Sequence, residues 1–205
     1  MRLSRFVECG EMSCSDMVSE RYLIPDAEVE PEKVRIVMIS EAPPRDPRDY
    51  FYAQISSFYL QTTVQAFNDA GFEVSSMKDI LDLCVYVTTA VKCVTIGYFI
   101  PPTVIKNCSL ILEKEIGLFP NIKAVLLMGD VAIKAMNYIA ERNIGKRMIP
   151  SGSTYKIRRK EYYYKNVRFF PSYLQTGKSY LIEKSKRKMI AEDIKSALKY
   201  VAVTR

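Results

Sequence analysis

The sequence predicts an α/β fold, a three-layer α/β/α domain built on a short, mostly parallel central sheet. Three observations predict it. Short apolar runs alternate with segments of helical periodicity. The runs are rich in β-branched residues and unbroken by polar ones, as expected of strands buried on both faces. The chain has 205 residues, 48% of them hydrophobic, enough for one substantial core. It reads as a single domain over 1–205, with an N-terminal segment, 1–33, that carries two cysteines.

Each element has its own signal. Residues 34–39 form a short apolar strand. Residues 56–70 place Phe58, Leu60, Val64 and Phe67 at helical spacing, and Gly71 stops the helix. Residues 85–91 give a second strand. Pro101 and Pro102 introduce a helix over 103–118. A third strand over 122–128 leads into a helix over 129–142. Residues 156–170 alternate as a β-hairpin around Lys165-Asn166, and 185–201 form a terminal helix. In parallel sheets the working site lies beyond the carboxyl ends of the strands. Those ends are Ser40-Glu41, residues 89–92 and Gly129-Asp130.

Bulk properties narrow the function classes. Net charge is +7, which suits a partner that presents phosphates. No run of about 18 apolar residues exists, so no transmembrane helix and no membrane partner are expected. The opening MRLSRFVECGEMSC lacks the apolar core of a signal peptide, and a cytoplasmic location follows as the expectation. No obligate protein partner is evident, and a monomer is expected. Histidine is absent, which removes the commonest general base and the usual imidazole metal ligand. Five cysteines in such a chain read as thiols or metal ligands before disulfides.

One stretch raises a question of chemistry. In IVMISEAPPRDPRDYFY, residues 36–52, an apolar strand ends by presenting Glu41 in a proline-stiffened turn, and three aromatics follow. A carboxylate so placed can stabilise a developing cation and orient water. Farther on, Cys9 and Cys14 form C-x4-C, and Cys93 and Cys108 form C-x14-C. Four thiols from two distant pairs suit a 4Fe-4S cluster or a four-thiolate zinc site. Cys84 sits in an apolar run as a core residue. Lys156, Arg158, Arg159 and Lys160 interleave with Tyr155 and residues 162–164, and Lys178, Lys184, Lys186, Arg187 and Lys188 form a later basic tract. Such tracts suit phosphate contact and stacking, or a solvated surface.

The segments IVMISEAPPRD, VYVTTAVKC, EIGLFPNIKAVLLMGDVAIKAM and VRFFPSYLQTG, taken in order, resemble the uracil-DNA glycosylase superfamily. The closest branch is the family 4 type, which carries an iron-sulfur cluster. The resemblance runs over roughly residues 9–199. It implies DNA as partner and a glycosylase that hydrolyses uracil or a related damaged base from DNA, in base excision repair. By that resemblance Glu41 is the catalytic carboxylate, Phe51 stacks on the base, and groups at Ala42 and Thr89 contact it. Cys9, Cys14, Cys93 and Cys108 become the cluster ligands, with zinc as the alternative. Tyr180 and Leu181 become the wedge that enters DNA where the base has left.

The chain departs from the family pattern at four positions. Ser40 and Pro44 replace the glycines of GEAPG, which alters an amide cradle. Thr89 stands where the family has an asparagine. Leu174 stands where the family has the histidine that binds the departing base. Losing such a donor typically costs about 10²–10³ in rate. Ser172, Gln175 and Lys178 are the side chains at hand to replace it. Two readings therefore stand, a divergent glycosylase and a non-catalytic nucleic-acid binding or damage-sensing protein. Action on a different base or on a free nucleotide is a weaker third.

Overall fold

The computed structural model describes the backbone of all residues except 10–13, 15–16, 26, 54–56, 96–98, 177 and 205, and leaves the side chains of 17–21, 178 and 179 undescribed. Its central sheet contains β2 (Ile36–Ser40), β3 (Val85–Thr89), β5 (Ala124–Met128), β6 (Tyr162–Tyr164) and β7 (Val167–Ser172). The order across the sheet is β3-β2-β5-β7-β6. The first four strands are parallel, and β6 runs antiparallel to β7. A second sheet pairs β1 (Met17–Tyr22) with β4 (Cys93–Thr95), antiparallel. The expected three-layer α/β/α architecture is what the chain forms.

Strand periodicity explains the layers. Successive side chains point to opposite faces. Val37, Ile39, Val125 and Leu127 face one core, together with α3 (Pro102–Ile116) and α4 (Asp130–Ile144). Ile36, Met38, Leu126 and Met128 face the other, with α1 (Phe58–Asp69), α2 (Met77–Asp82) and α7 (Lys184–Val203). Both faces are covered, so β2, β3 and β5 are buried throughout.

Local chemistry sets the boundaries. The Ser57 hydroxyl accepts the Leu60 N–H at 3.1 Å and starts α1 two residues later than the apolar pattern begins. Ser76 and Asp79 form a reciprocal capping box that starts α2. Lys165 and Asn166 both adopt positive φ and turn β6 into β7 as expected. The hairpin is shorter than its alternation suggests, because residues 154–157 close into a one-turn helix, α5 (Thr154–Ile157), that buries Ile157. The short helix α6 (Lys178–Ile182) joins β7 to α7.

Among the described residues the outer edge of β3 has no neighbouring strand. The Tyr52 phenol occupies that place, donating to the Val87 carbonyl at 2.9 Å and lying 3.3 Å from the Val87 N–H. The chain passes from β2 outward to β3 and then back across to β5 on the other side of β2. The carboxyl ends of β2 and β5 are therefore a topological switch point, where open α/β sheets form their ligand crevices.

Candidate active site at the carboxyl ends of the strands

Glu41 occupies that switch point. It follows β2 directly and is half-buried. The β2–β3 ladder continues past the strands, with Ala90 N–H donating to the Ser40 carbonyl (2.8 Å) and Val91 N–H to the Glu41 carbonyl (2.9 Å). The Glu41 backbone is thus fixed while its side chain turns toward α4. There the Val131 N–H donates to Oε1 at 3.4 Å, and the Asp130 N–H also bonds the carboxylate. These are the free amides of a helix N-terminus, which favour negative charge. Burial nevertheless wins and holds the Glu41 carboxyl above the usual glutamate range. The Asp130 carboxylate adds to the rise, and exposed Lys134 works against it.

Gly129 makes this approach possible. Its φ is +101°, and a Cβ there would stand 2.5 Å from Glu41 Oε1. Its N–H donates to the Ser172 carbonyl at 3.0 Å, which joins the ends of β5 and β7 at the same point. A cleft of about 290 Å³ begins at Asp130, the first residue of α4, and runs along that helix past Lys134, Tyr138, Arg147 and Ser151; Glu41 itself does not line it.

The residues expected around the base divide sharply. Ala42 is half-buried against the first core. The Thr89 hydroxyl is buried beside the Tyr50 phenol. The Thr89 carbonyl accepts from Lys92 Nζ at 2.5 Å and is not available to a base. Ser172 and Gln175 are fully buried and already engaged. Ser172 Oγ donates to Asp193 at 2.6 Å, and the Gln175 amide pairs with the Ser40 hydroxyl at 2.8 Å. These bonds fasten the segment that follows β7 and leave neither side chain free to replace a histidine. Leu174 is half-buried and has no donor.

Phe51 differs from its expected role. The ring is completely buried and packs on Tyr50 and Tyr59, with centroids 5.4 and 5.3 Å away, so it has no open face on which a base can stack. Tyr59, on the first turn of α1, is the half-exposed aromatic beside Glu41, with its hydroxyl on Thr176. Sequence reasoning missed it because it lies outside the aromatic cluster at 50–52.

Tyr180 requires a similar correction. Its ring is buried and its hydroxyl donates to Asp69 at 3.2 Å, while the Arg187 guanidinium lies 5.4 Å from the ring centroid. Leu181 and Ile182 are the exposed apolar residues of that turn. The Lys178 side chain lies outside the described residues. In the earlier basic tract, Arg158 turns inward and grips Asp193 through two bonds of 3.0 and 2.7 Å, so it offers no charge to a phosphate.

The four candidate ligand cysteines come into one neighbourhood. The β1–β4 ladder lays the N-terminal segment against Cys93, and α3 brings Cys108 beside it. Burial pushes the Cys93 thiol up to about 12, and the Cys108, Cys9 and Cys14 thiols add to the rise. Burial also raises Cys108, which feels Cys14 and Cys9, while the Lys92 backbone N–H opposes the shift. Cys9 is exposed, Cys14 is half-buried, and all are free thiols. Among the described residues no three cysteine or acidic side chains converge closely enough to hold a metal ion. Burial favours the protonated thiols of Cys93 and Cys108, whereas a metal would need their thiolates.

One buried network was not expected. Lys92 and Glu115 form an ion pair with both side chains wholly inaccessible. Tyr86 and Thr88 donate to Glu115 Oε1 at 2.6 and 2.9 Å, and Lys92 donates to the Thr88 hydroxyl at 2.8 Å. The signal was present in α3, where Glu115 continues the apolar phase of Cys108, Ile111 and Leu112. An acid on that stripe requires a buried cation. No protein-family model matches this chain, and none of the curated proteins is significantly similar to it.

Proposed function

We propose that the chain is a DNA glycosylase that hydrolyses the N-glycosidic bond of uracil or a related damaged base. One observation carries the reading: Glu41, a half-buried carboxylate without a side-chain hydrogen-bond partner among the described residues, stands at the switch point of a parallel sheet. As the glycosidic bond breaks, its electron pair leaves with the base and positive charge builds on the sugar. Glu41 stabilises that charge and orients the water that attacks the anomeric carbon. The water's oxygen stays on the sugar with one of its protons, and the other proton passes by way of the carboxylate or solvent to the departed base. Leu174 contributes no donor, the Thr89 and Tyr50 hydroxyls are buried side by side, and the exposed side-chain donor that acts on Glu41 is Lys134.

Cys9, Cys14, Cys93 and Cys108 would hold a 4Fe-4S cluster or, in its place, zinc. The group's contribution would be structural, tying the N-terminal segment to α3. Anaerobic purification followed by iron and zinc analysis tests this, and protein free of both metals would sink it.

A second reading, a nucleic-acid binding or damage-sensing protein without excision, draws on Leu174 and on the internal bonds of Ser172 and Gln175. Labelled single- and double-stranded DNA carrying one uracil, hypoxanthine or other lesion separates the two. Abasic sites support the glycosylase, whereas binding without abasic sites on every lesion supports the sensor.

A further inference from the structure

The helix α7 carries a feature that the Glu41 site does not use. Lys184, Lys188, Lys195 and Lys199 are all exposed. At 3.6 residues per turn they fall within about 60° of the helix circumference and extend over about 22 Å. None of the four has an acidic partner among the described residues. Their basic neighbours differ, since Arg187 is paired with Asp69 at 2.8 Å and Lys186 with Glu183 at 2.7 Å.

The stripe borders a groove of about 550 Å³ between the end of α1 and α7. Its floor includes Ala70 and Ala191, both buried small residues, and its rim includes Lys184, Lys188 and Lys195. Both acids in the groove have a basic partner. Arg187 holds Asp69, and Arg158 reaches Glu192 at 3.1 Å. The groove is therefore open, shallow and positively charged.

We infer that this stripe binds the phosphodiester backbone of a nucleic-acid strand as it leaves the Glu41 crevice. The inference rests on the nucleic-acid reading above for its ligand class. The Ser172–Asp193 bond ties the middle of α7 to the carboxyl end of β7, so the stripe passes that edge of the sheet, with Lys184 and Lys188 before Asp193, and Lys195 and Lys199 after it. A flexible single strand can follow such a course along the helix. A membrane surface fits poorly, since the apolar face of α7 is buried on the sheet and Ser185, Glu192 and Ser196 lie on the exposed side with the lysines. An acidic peptide fits poorly as well, because the alanine floor offers no pocket for an apolar anchor.

The test compares wild type with K184Q/K188Q/K195Q/K199Q. Each is titrated with undamaged single-stranded oligonucleotides of two lengths, a short one covering only the crevice and a long one reaching along α7. The salt range is about 50–200 mM. Wild type should bind the long strand with the steeper salt dependence. The variant should lose about 0.7 in the slope of log affinity against log salt for each lysine in contact, on the long strand alone. K188Q/K195Q should lose about half as much, and an unchanged melting temperature in either variant secures the comparison. Equal slopes for wild type and variant would overturn the inference, as would failure of both strands to bind at the lowest salt. Lysine-dependent capture of anionic vesicles with unchanged oligonucleotide binding would also overturn it. Loss of excision on every lesion with the long-strand slope intact would remove the glycosylase reading and leave the stripe standing.

Discussion

Glu115 and Glu41 border the adjacent strands β3 and β2, yet their surroundings are opposite. Glu115 is sealed, with Lys92, Tyr86 and Thr88 satisfying its oxygens and no surface left exposed. Glu41 is half-exposed, and among the described residues its carboxylate is hydrogen-bonded by the backbone amides of α4 alone. Asp193 belongs with Glu115, enclosed by Arg158 and Ser172. Burial acts on Glu41 and Asp193 alike, raising both carboxyls. A raised carboxyl therefore does not mark a site by itself. Free bonding capacity next to open space marks it.

The sealed side should break hardest. Lys92→Met leaves Glu115 buried without its cation and should lower stability by about 3–5 kcal/mol, whereas adding Glu115→Leu should recover much of that loss. Chemical denaturation of the two variants and wild type reads the difference. If the double variant were no more stable than the single one, the pair would be more than a matched burial of opposite charges.

Asp193 sharpens the comparison through pH. Burial holds its carboxyl up at about 6 from an ordinary 3.8, against the bonds from Arg158 and Ser172. The folded protein thus binds this proton more tightly than the unfolded chain does. The stability contributed is full below about pH 4 and is lost as pH rises through about 6, on the order of 3 kcal/mol. Asp193→Asn should flatten the stability profile across that window, and parallel profiles for the two proteins would contradict the assignment.

Gly129→Ala tests the open side. At φ +101° a Cβ is strained by roughly 1–2 kcal/mol, and it would meet the Glu41 carboxylate directly. A modest fall in stability with a disproportionate fall in excision is the expected result. Excision that follows stability alone would mean that Glu41 need not lie where it does.

Much of this was legible in the residues. The apolar runs of β2, β3 and β5 specify a sheet covered on both faces, and Glu41 is conspicuous because it ends the first of them. Asp193 was also readable, since it shares the buried phase of Ile190, Ile194 and Ala197. Side-chain direction was not readable. Phe51 and Tyr180 carry the composition of a stacking ring and a wedge, but packing turns both inward. Likewise Ser172 and Gln175 are polar residues in the right loop, and only their bonds to Asp193 and Ser40 show them engaged. The β1–β4 pairing depends on contacts between distant segments that no local pattern encodes.

The central claim is that the Glu41 carboxylate does the chemistry, and single-turnover excision by Glu41→Gln, measured across pH beside wild type, tests it most directly. The wild-type rate should rise with pH along a limb displaced above the ordinary glutamate range, because the ionised form is the active one and burial raises its carboxyl. The variant should be slower by at least about 10² on the plateau above that limb, with the gap closing as pH falls through it, and its affinity for undamaged DNA should be unchanged. Excision by the variant at the wild-type rate, or no excision by wild type from any lesion, would contradict the account.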